Sequence, residues 1–262
     1  MFSFQQHVRG FLNSPSLKGL IHSVTDFKLE KLAKIPSYEF PPNPRLGKRV
    51  EFILKQLLLN GQNYTLLGDN IVLKNKKRTI GEVDFLLQQS NVNIHLELAF
   101  KFYLFDETLA SNFVEQWIGP NRKDFLFHKI NHLEHHQLKI THSPEFKDYQ
   151  NICGSNIYYS PALLFKAQLF LPYLKKVNIP PNFSQCICGE WMNFKHFESY
   201  DDAFLFCIPN KQDWVVEPKE NNVWYIKQKA IKIIIACHER KFSPLVWIKK
   251  EGLFKKIFVV WW

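Results

Sequence analysis

A chain of 262 residues with 46% hydrophobic and 15% aromatic content can bury a full core, as one large domain or two small ones. Lys and Arg outnumber Asp and Glu by 34 to 24, and the resulting formal net charge of +10 points to nucleic acid or an anionic membrane surface as a partner. No apolar run reaches the roughly 18 residues of a membrane span. The N-terminus lacks the basic start and apolar core of a signal peptide, and the odd count of five cysteines suits reduced thiols, so the expectation is a cytoplasmic protein without a disulfide framework.

Residues 1–43 read as a helical lead-in: a short apolar helix to about Leu12, a break at Ser14-Pro15, then a second helical stretch. Pro36, Pro41, Pro42 and Pro44 close it, because proline lacks the donor a helix interior needs. A core segment at 44–143 follows. It opens with an amphipathic helix, in which Leu46, Val50, Ile53, Leu54, Leu57 and Leu58 recur at helical spacing and Asn60-Gly61 supplies the stop. Glu51 falls off that apolar stripe, as a solvated residue would. Residues 64–67 and 71–73 read as a strand pair or one bent strand. Lys74-Asn75-Lys76-Lys77-Arg78 then makes a basic turn, either solvated or in contact with backbone phosphates.

Two strands carry the expected chemistry, residues 81–87 and 94–101, joined by a turn at 89–93. Period-2 alternation sets Glu82 and Asp84 on one face against Val83, Phe85 and Leu87. It likewise sets Glu97, Ala99 and Lys101 against Leu98, Phe100 and Phe102. If the strands pair, Asp84 and Glu97 converge on one divalent cation, Mg²⁺ or Mn²⁺, with a lysine close by. Half-buried carboxylates repel and lose solvation, and a hard cation compensates both costs. An antiparallel hairpin with one wet face would give the same alternation without any ligand.

Gly119-Pro120-Asn121 opens the next helix, with Asn121 as its N-cap and Arg122 and Lys123 beside a natural phosphate seat. That helix carries Lys129, His132, His136 and Gln137. Zinc at His132 and His136 is disfavoured, since Leu133 stands where a zincin needs Glu. From about Pro144 the pattern turns to strands, at 157–170, 204–208, 231–237, 244–248 and 257–262. Cys186 and Cys188 make half a zinc knuckle without its second pair, so packing is the expected role. Trp191, Trp214, Trp224 and Trp247 are expected in the core or an interface, with stacking on unpaired bases as the other possibility.

Gly81-Glu82-Val83-Asp84 followed by Glu97 and Lys101 resembles the core of the PD-(D/E)XK phosphodiesterase superfamily. The resemblance implies an α/β restriction-endonuclease-like core, a mixed central sheet flanked by helices, with a strand-rich aromatic region at 144–262 packed on it. It implies Asp84 and Glu97 as metal ligands, Glu51 as the acidic residue of the first core helix, and Glu82 and Gln137 in support. Ala99 occupies the usual lysine position, so Lys101, or Lys129 by default, would serve as the catalytic lysine. Lys76, Lys77, Arg78, Arg122 and Lys123 would contact the nucleic acid. Leu46-Gly47-Lys48-Arg49-Val50-Glu51, Leu96-Glu97-Leu98-Ala99-Phe100-Lys101 and Gly119-Pro120-Asn121-Arg122-Lys123-Asp124 resemble, more narrowly, the bacterial family called domain of unknown function 1853. The expectation is a metal-dependent nuclease acting on DNA ahead of RNA. The alternatives are a catalytically inactive nucleic-acid-binding module on the same fold, or an interaction protein whose aromatic second half allows a homodimer.

Overall fold

The computed structural model describes residues 2–30, 32, 37–42, 44–220 and 222–262, so the expected role of Pro36 lies outside the described residues. The helices are α1 (Phe4–Asn13), α2 (Leu46–Asn60), α3 (Leu126–His135), α4 (Pro144–Ile152), α5 (Pro181–Ser184), α6 (Phe194–Glu198) and α7 (Lys227–His238). The strands are β1 (Thr25–Asp26), β2 (Thr65–Asn75), β3 (Arg78–Gln89), β4 (Val92–Phe105), β5 (Trp117–Ile118), β6 (Ser160–Pro172), β7 (Ile187–Asn193), β8 (Leu205–Cys207), β9 (Leu245–Lys250) and β10 (Leu253–Val260). They form one mixed ten-stranded sheet in the order β2-β3-β4-β6-β7-β10-β9-β8, with β1 added to β6 and β5 to β4.

The centre of the sheet is parallel, β4 to β6 to β7 to β10, and its two ends are antiparallel hairpins. Long parallel strands need cover on both faces, and the helices supply it. α2 buries Val50, Ile53, Leu54 and Leu57 against Phe85, Leu87, Leu96 and Leu98 on one face. α3 and α5 bury Leu126, Leu133 and Phe183 against Ala99, Tyr103, Leu163 and Phe165. Each such apolar side chain contributes about 1.5–3 kcal/mol by leaving water. An α/β fold with a mixed central sheet flanked by helices is therefore what the chain forms. Gly189 lets β7 approach β10: a Cβ there would lie 2.0 Å from the Lys256 carbonyl oxygen.

Several local expectations are corrected. The second helical stretch of the lead-in does not form among the described residues. Instead the chain runs extended along β6, where Leu17 N–H donates to the Phe165 carbonyl (2.8 Å) and Phe27 N–H to the Leu163 carbonyl (2.9 Å). The β6 edge supplies backbone partners that a short helix would have had to find internally. Residues 231–237, expected as a strand, lie in α7. Their β-branched run misleads, because Ala230, Ile234 and Cys237 are buried at helical spacing. α4 and β7 were not foreseen as separate elements. The segments expected at 64–67 and 71–73 form one bent strand, β2 (Thr65–Asn75), with register irregularities at 66–68 and 73–74. On β3, Val83 clusters with Leu86, Ile140 and Phe146, apart from Phe85 and Leu87, so strict alternation is not kept across Asp84.

A buried polar knot ties α1 to α2. His7, Arg49 and Asp213 are all 5% exposed or less. Asp213 Oδ1 lies 2.9 Å from His7 Nε2 and accepts from Arg49 Nη1 at 3.0 Å. The turn that carries Asp213 also carries Lys211 and Trp214 to the cleft described next.

Candidate functional site

The β3–β4 ladder ends at Phe85↔Leu96. One step further in that register Asp84 faces Glu97, and there side chains take over the pairing from the backbone. Asp84 Oδ2 accepts from Leu98 N–H at 2.9 Å, and Asp84 N–H lies 3.5 Å from Glu97 Oε1. β5 pairs with β4 at Leu104, so the β4 edge between Leu98 and Tyr103 opens onto a cleft of about 380 Å³. Leu98 N–H points to this edge, and in a strand its carbonyl leaves on the same side.

Glu97 is fully buried and wholly engaged. Its Oε1 lies 2.8 Å from His95 Nε2, and its Oε2 accepts from Gln137 Nε2 at 3.0 Å. Gln137 in turn accepts from Lys129 Nζ at 2.7 Å. Burial and the Glu97 charge hold the Asp84 carboxyl up to about 8. Burial likewise holds Glu97 up to about 8, against the Asp84 amide and the Lys129 ammonium, which lower it. Burial holds the His95 imidazole down to about 4, and its Nδ1 has no hydrogen-bond partner among the described residues. Burial and the neighbouring Lys101 hold the Lys129 ammonium below its ordinary range, opposed by Glu97 and Asp84.

The expected site residues divide into those brought together here and those placed elsewhere. Asp84, Glu97, Gln137 and Lys129 form one connected group. Gln137 does so from the 3₁₀ turn that follows α3, outside that helix. Glu51 lines the cleft, half-buried, and pairs with Lys48 at 2.6 Å. Lys48 also reaches Glu82 at 3.0 Å. Lys101 lines the cleft, yet its ammonium donates to Asp124 at 2.6 Å rather than to the paired carboxylates.

Asn121 is not an N-cap. Residues 119–124 form a turn, and α3 starts five residues beyond Asn121, with Phe125 in the cap position. Asn121 Oδ1 instead accepts from Ser243 N–H at 2.8 Å. The phosphate seat at that helix start is therefore absent. Arg122 stacks over Trp262 at 4.5 Å, while Lys123 lines the cleft. Lys76 and Lys77 sit in the β2–β3 turn and Arg78 opens β3, a region that strand rise puts roughly 20 Å from Asp84. His132 and His136 stack on each other with ring centroids 5.0 Å apart. Trp214 and Trp247 are fully buried, and Trp191 and Trp224 pack against the core.

Sequence reasoning missed His95, Lys48, Asp124 and Lys211. His95 was legible in principle, lying two residues before Glu97 on the same strand face. Lys211 comes from far along the chain, and no local spacing announces it.

Among the described residues no three His, Cys, Asp or Glu side chains converge as a metal cage. Mg²⁺ needs none, being held by one or two carboxylates with waters and phosphate oxygens. Asp84 Oδ1 has no hydrogen-bond partner among the described residues and is the oxygen open to such an ion, while each Glu97 oxygen, already partnered once, could add a coordination bond only by sharing a lone pair.

The fold and site define an α/β protein with a carboxylate pair, Glu97 buried and Asp84 half-buried, behind a lysine-lined cleft. The family described as domain of unknown function, DUF1853, matches residues 23–256, and the chain belongs to it. No curated protein and no solved structure matches the chain.

Proposed function

We propose that this chain is a divalent-metal-dependent phosphodiesterase of the PD-(D/E)XK kind, acting on nucleic acid, DNA ahead of RNA. The observation that carries the reading is the pair of half-buried Asp84 and buried Glu97, each held up to about 8, at the point where the β4 edge opens onto a cleft lined by Lys101, Lys123, Lys129 and Lys211. Further support comes from chain order. The Asp strand β3, the Glu strand β4 and the helix α3 follow α2 in the sequence that the resemblance implies.

Asp84 and Glu97, with the Leu98 carbonyl, would hold Mg²⁺ or Mn²⁺. A bound ion of this kind polarises the phosphate and lowers the pKa of a coordinated water. Lys129, tied to Glu97 through Gln137, is placed to neutralise charge that develops on the phosphate. It takes the part that Ala99 leaves open. Lys101, Lys123 and Lys211 draw the phosphodiester backbone into the cleft. Glu51, held by Lys48, orients water at the far side of the pair. The cysteines carry no disulfide, and no helix among the described residues is long and apolar enough to cross a membrane.

The test is cleavage of linear duplex DNA, single-stranded DNA and RNA with Mn²⁺ at low salt, by the wild type and by Asp84→Ala. Cleavage by the wild type alone supports the reading. No cleavage by either folded protein, with salt-dependent binding intact in both, makes the chain a nucleic-acid-binding module. The Lys101–Asp124 pair and Ala99 favour that second reading.

A further inference from the structure

Inside the cleft the β4 edge is bare over a short, bounded stretch. Between Glu97 and Tyr103 the strand pairs with β6 on one side, and among the described residues no strand lies on the other. Leu98 N–H leaves toward the open side, so by alternation the N–H and carbonyl of Phe100 and of Phe102 leave there too. Asp84 closes one end of the stretch through the Leu98 amide. Pro120 closes the other: Ile118 stands opposite Leu104, which sets residue 120 opposite Phe102, and proline has no N–H to give. The Pro120 carbonyl is itself taken by Trp262 Nε1 at 3.0 Å. Phe100 is thus left with a main-chain donor and acceptor that have no partner among the described residues.

This edge is the floor of a slot. Leu46, Gly47 and Val50 of α2 form one wall, and Gly119 and Pro120 form the other. A Cβ at Gly47 would meet nothing nearer than Glu51 Oε1 at 4.0 Å, so neither packing nor a positive φ calls for glycine there. Glycine is a poor helix former, and here its missing side chain keeps the slot open. Lys123 and Lys211 stand at the rim, both exposed and both without an ion pair or hydrogen bond among the described residues. From Leu98 to Phe102 the bare edge runs roughly 13 Å by strand rise. An ordinary strand needs about 17–20 Å, so an added peptide strand does not fit. A flat ring with polar atoms on its edge and a phosphate attached does fit, and a cleft of about 380 Å³ is the size of a small-ligand pocket.

We propose that the cleft takes one unpaired nucleotide of a nucleic-acid strand, with its base edge on the main chain of Phe100 and Phe102 and its phosphate at Lys123 and Lys211. The inference rests on the reading of this chain as a nucleic-acid phosphodiesterase, and it narrows the substrate to single strands and to nucleotides freed from pairing. A base inside a duplex has already spent its edge on its partner. Because the strand edge alternates carbonyl and N–H, each of the four bases can set a donor and an acceptor against it, so sequence preference is weak.

The experiment is fluorescence anisotropy in EDTA, so that no cleavage intervenes, with a labelled twenty-residue oligothymidylate and a blunt duplex of twenty base pairs. Wild type, Gly47→Leu, Lys211→Glu and Asp84→Ala are compared over a potassium chloride series. Gly47→Leu fills the slot while favouring the helix, and Lys211 is exposed, so both variants keep the fold. The wild type should bind the single strand about tenfold more tightly than the duplex, and Gly47→Leu should lose that preference. Lys211→Glu should weaken single-strand binding about tenfold and flatten the salt slope, whereas Asp84→Ala should keep the preference. Equal affinity of the wild type for the two ligands, or a preference that survives in Gly47→Leu, would overturn the pocket while leaving the catalytic reading intact. A preference lost in Gly47→Leu, in a protein that cleaves nothing with Mn²⁺, would uphold the pocket and contradict the catalytic reading. No binding of either ligand by the folded wild type would overturn both.

Discussion

Asp84 and Glu97 are placed where ionisation is costly, and that cost has a sign. Folding raises each carboxyl from its ordinary value, 3.8 and 4.5, to about 8. Between about pH 4 and 8 the folded chain therefore holds protons that the unfolded chain has released, and stability falls as pH rises through that window. Below it the stability is fully present, and above it the loss is complete. In metal-free buffer, Asp84→Asn should be more stable than wild type at pH 8.5, by on the order of 2 kcal/mol, and close to it at pH 4.5. Urea midpoints at the two pH values check this, and equal shifts at both would refute it. The knot of His7, Arg49 and Asp213 is buried, with Asp213 Oδ1 against both His7 Nε2 and Arg49 Nη1. Removing one partner leaves an uncompensated charge, so Asp213→Ala should lose about 3–5 kcal/mol. Chemical denaturation measures it, and a loss under about 1 kcal/mol would mean that water reaches the knot.

At the scale of elements, the hairpin of β3 and β4, the helix α2 and the strands β6, β9 and β10 were legible because their apolar periodicity is long and unambiguous. The failures have physical causes. Residues 231–237 are rich in β-branched side chains, and only the packing of Ala230 and Ile234 on Val246 and Ile248 makes them a helix. The start of α3 was misplaced because Gly119-Pro120-Asn121 carries cap-forming residues that a tight turn uses equally well. The carboxylate pair could be read from alternation, whereas the retention of Lys101 by Asp124 could not, since it depends on where the 119–124 turn folds back. One element-level contact is decisive for the sheet. Gly189→Ala should separate β7 from β10 and cost several kcal/mol, because its Cβ would fall within 2.0 Å of a backbone oxygen that cannot give way. A thermal midpoint unchanged within a degree would contradict that.

For the whole molecule, basic side chains are spread across the chain, and four of them, Lys101, Lys123, Lys129 and Lys211, line the cleft over β4. A net charge of +10 spread this way predicts binding that is strong at low salt and steeply screened. Raising potassium chloride from 50 to 200 mM should weaken oligonucleotide binding by roughly 10- to 1,000-fold, since each neutralised phosphate adds to the slope. An affinity independent of salt would exclude electrostatic capture as the means of binding.

Metal-dependent cleavage by this chain requires that Asp84 and Glu97 form one cation centre. Calorimetric titration of Mn²⁺ into the wild type and into Asp84→Asn at pH 7, in two buffers of different ionisation enthalpy, tests that claim directly. Because both carboxyls are held up to about 8, binding should be saturable, should release protons to the buffer, and should vanish in Asp84→Asn. Saturable binding that survives Asp84→Asn, or no binding to the folded wild type, would contradict it.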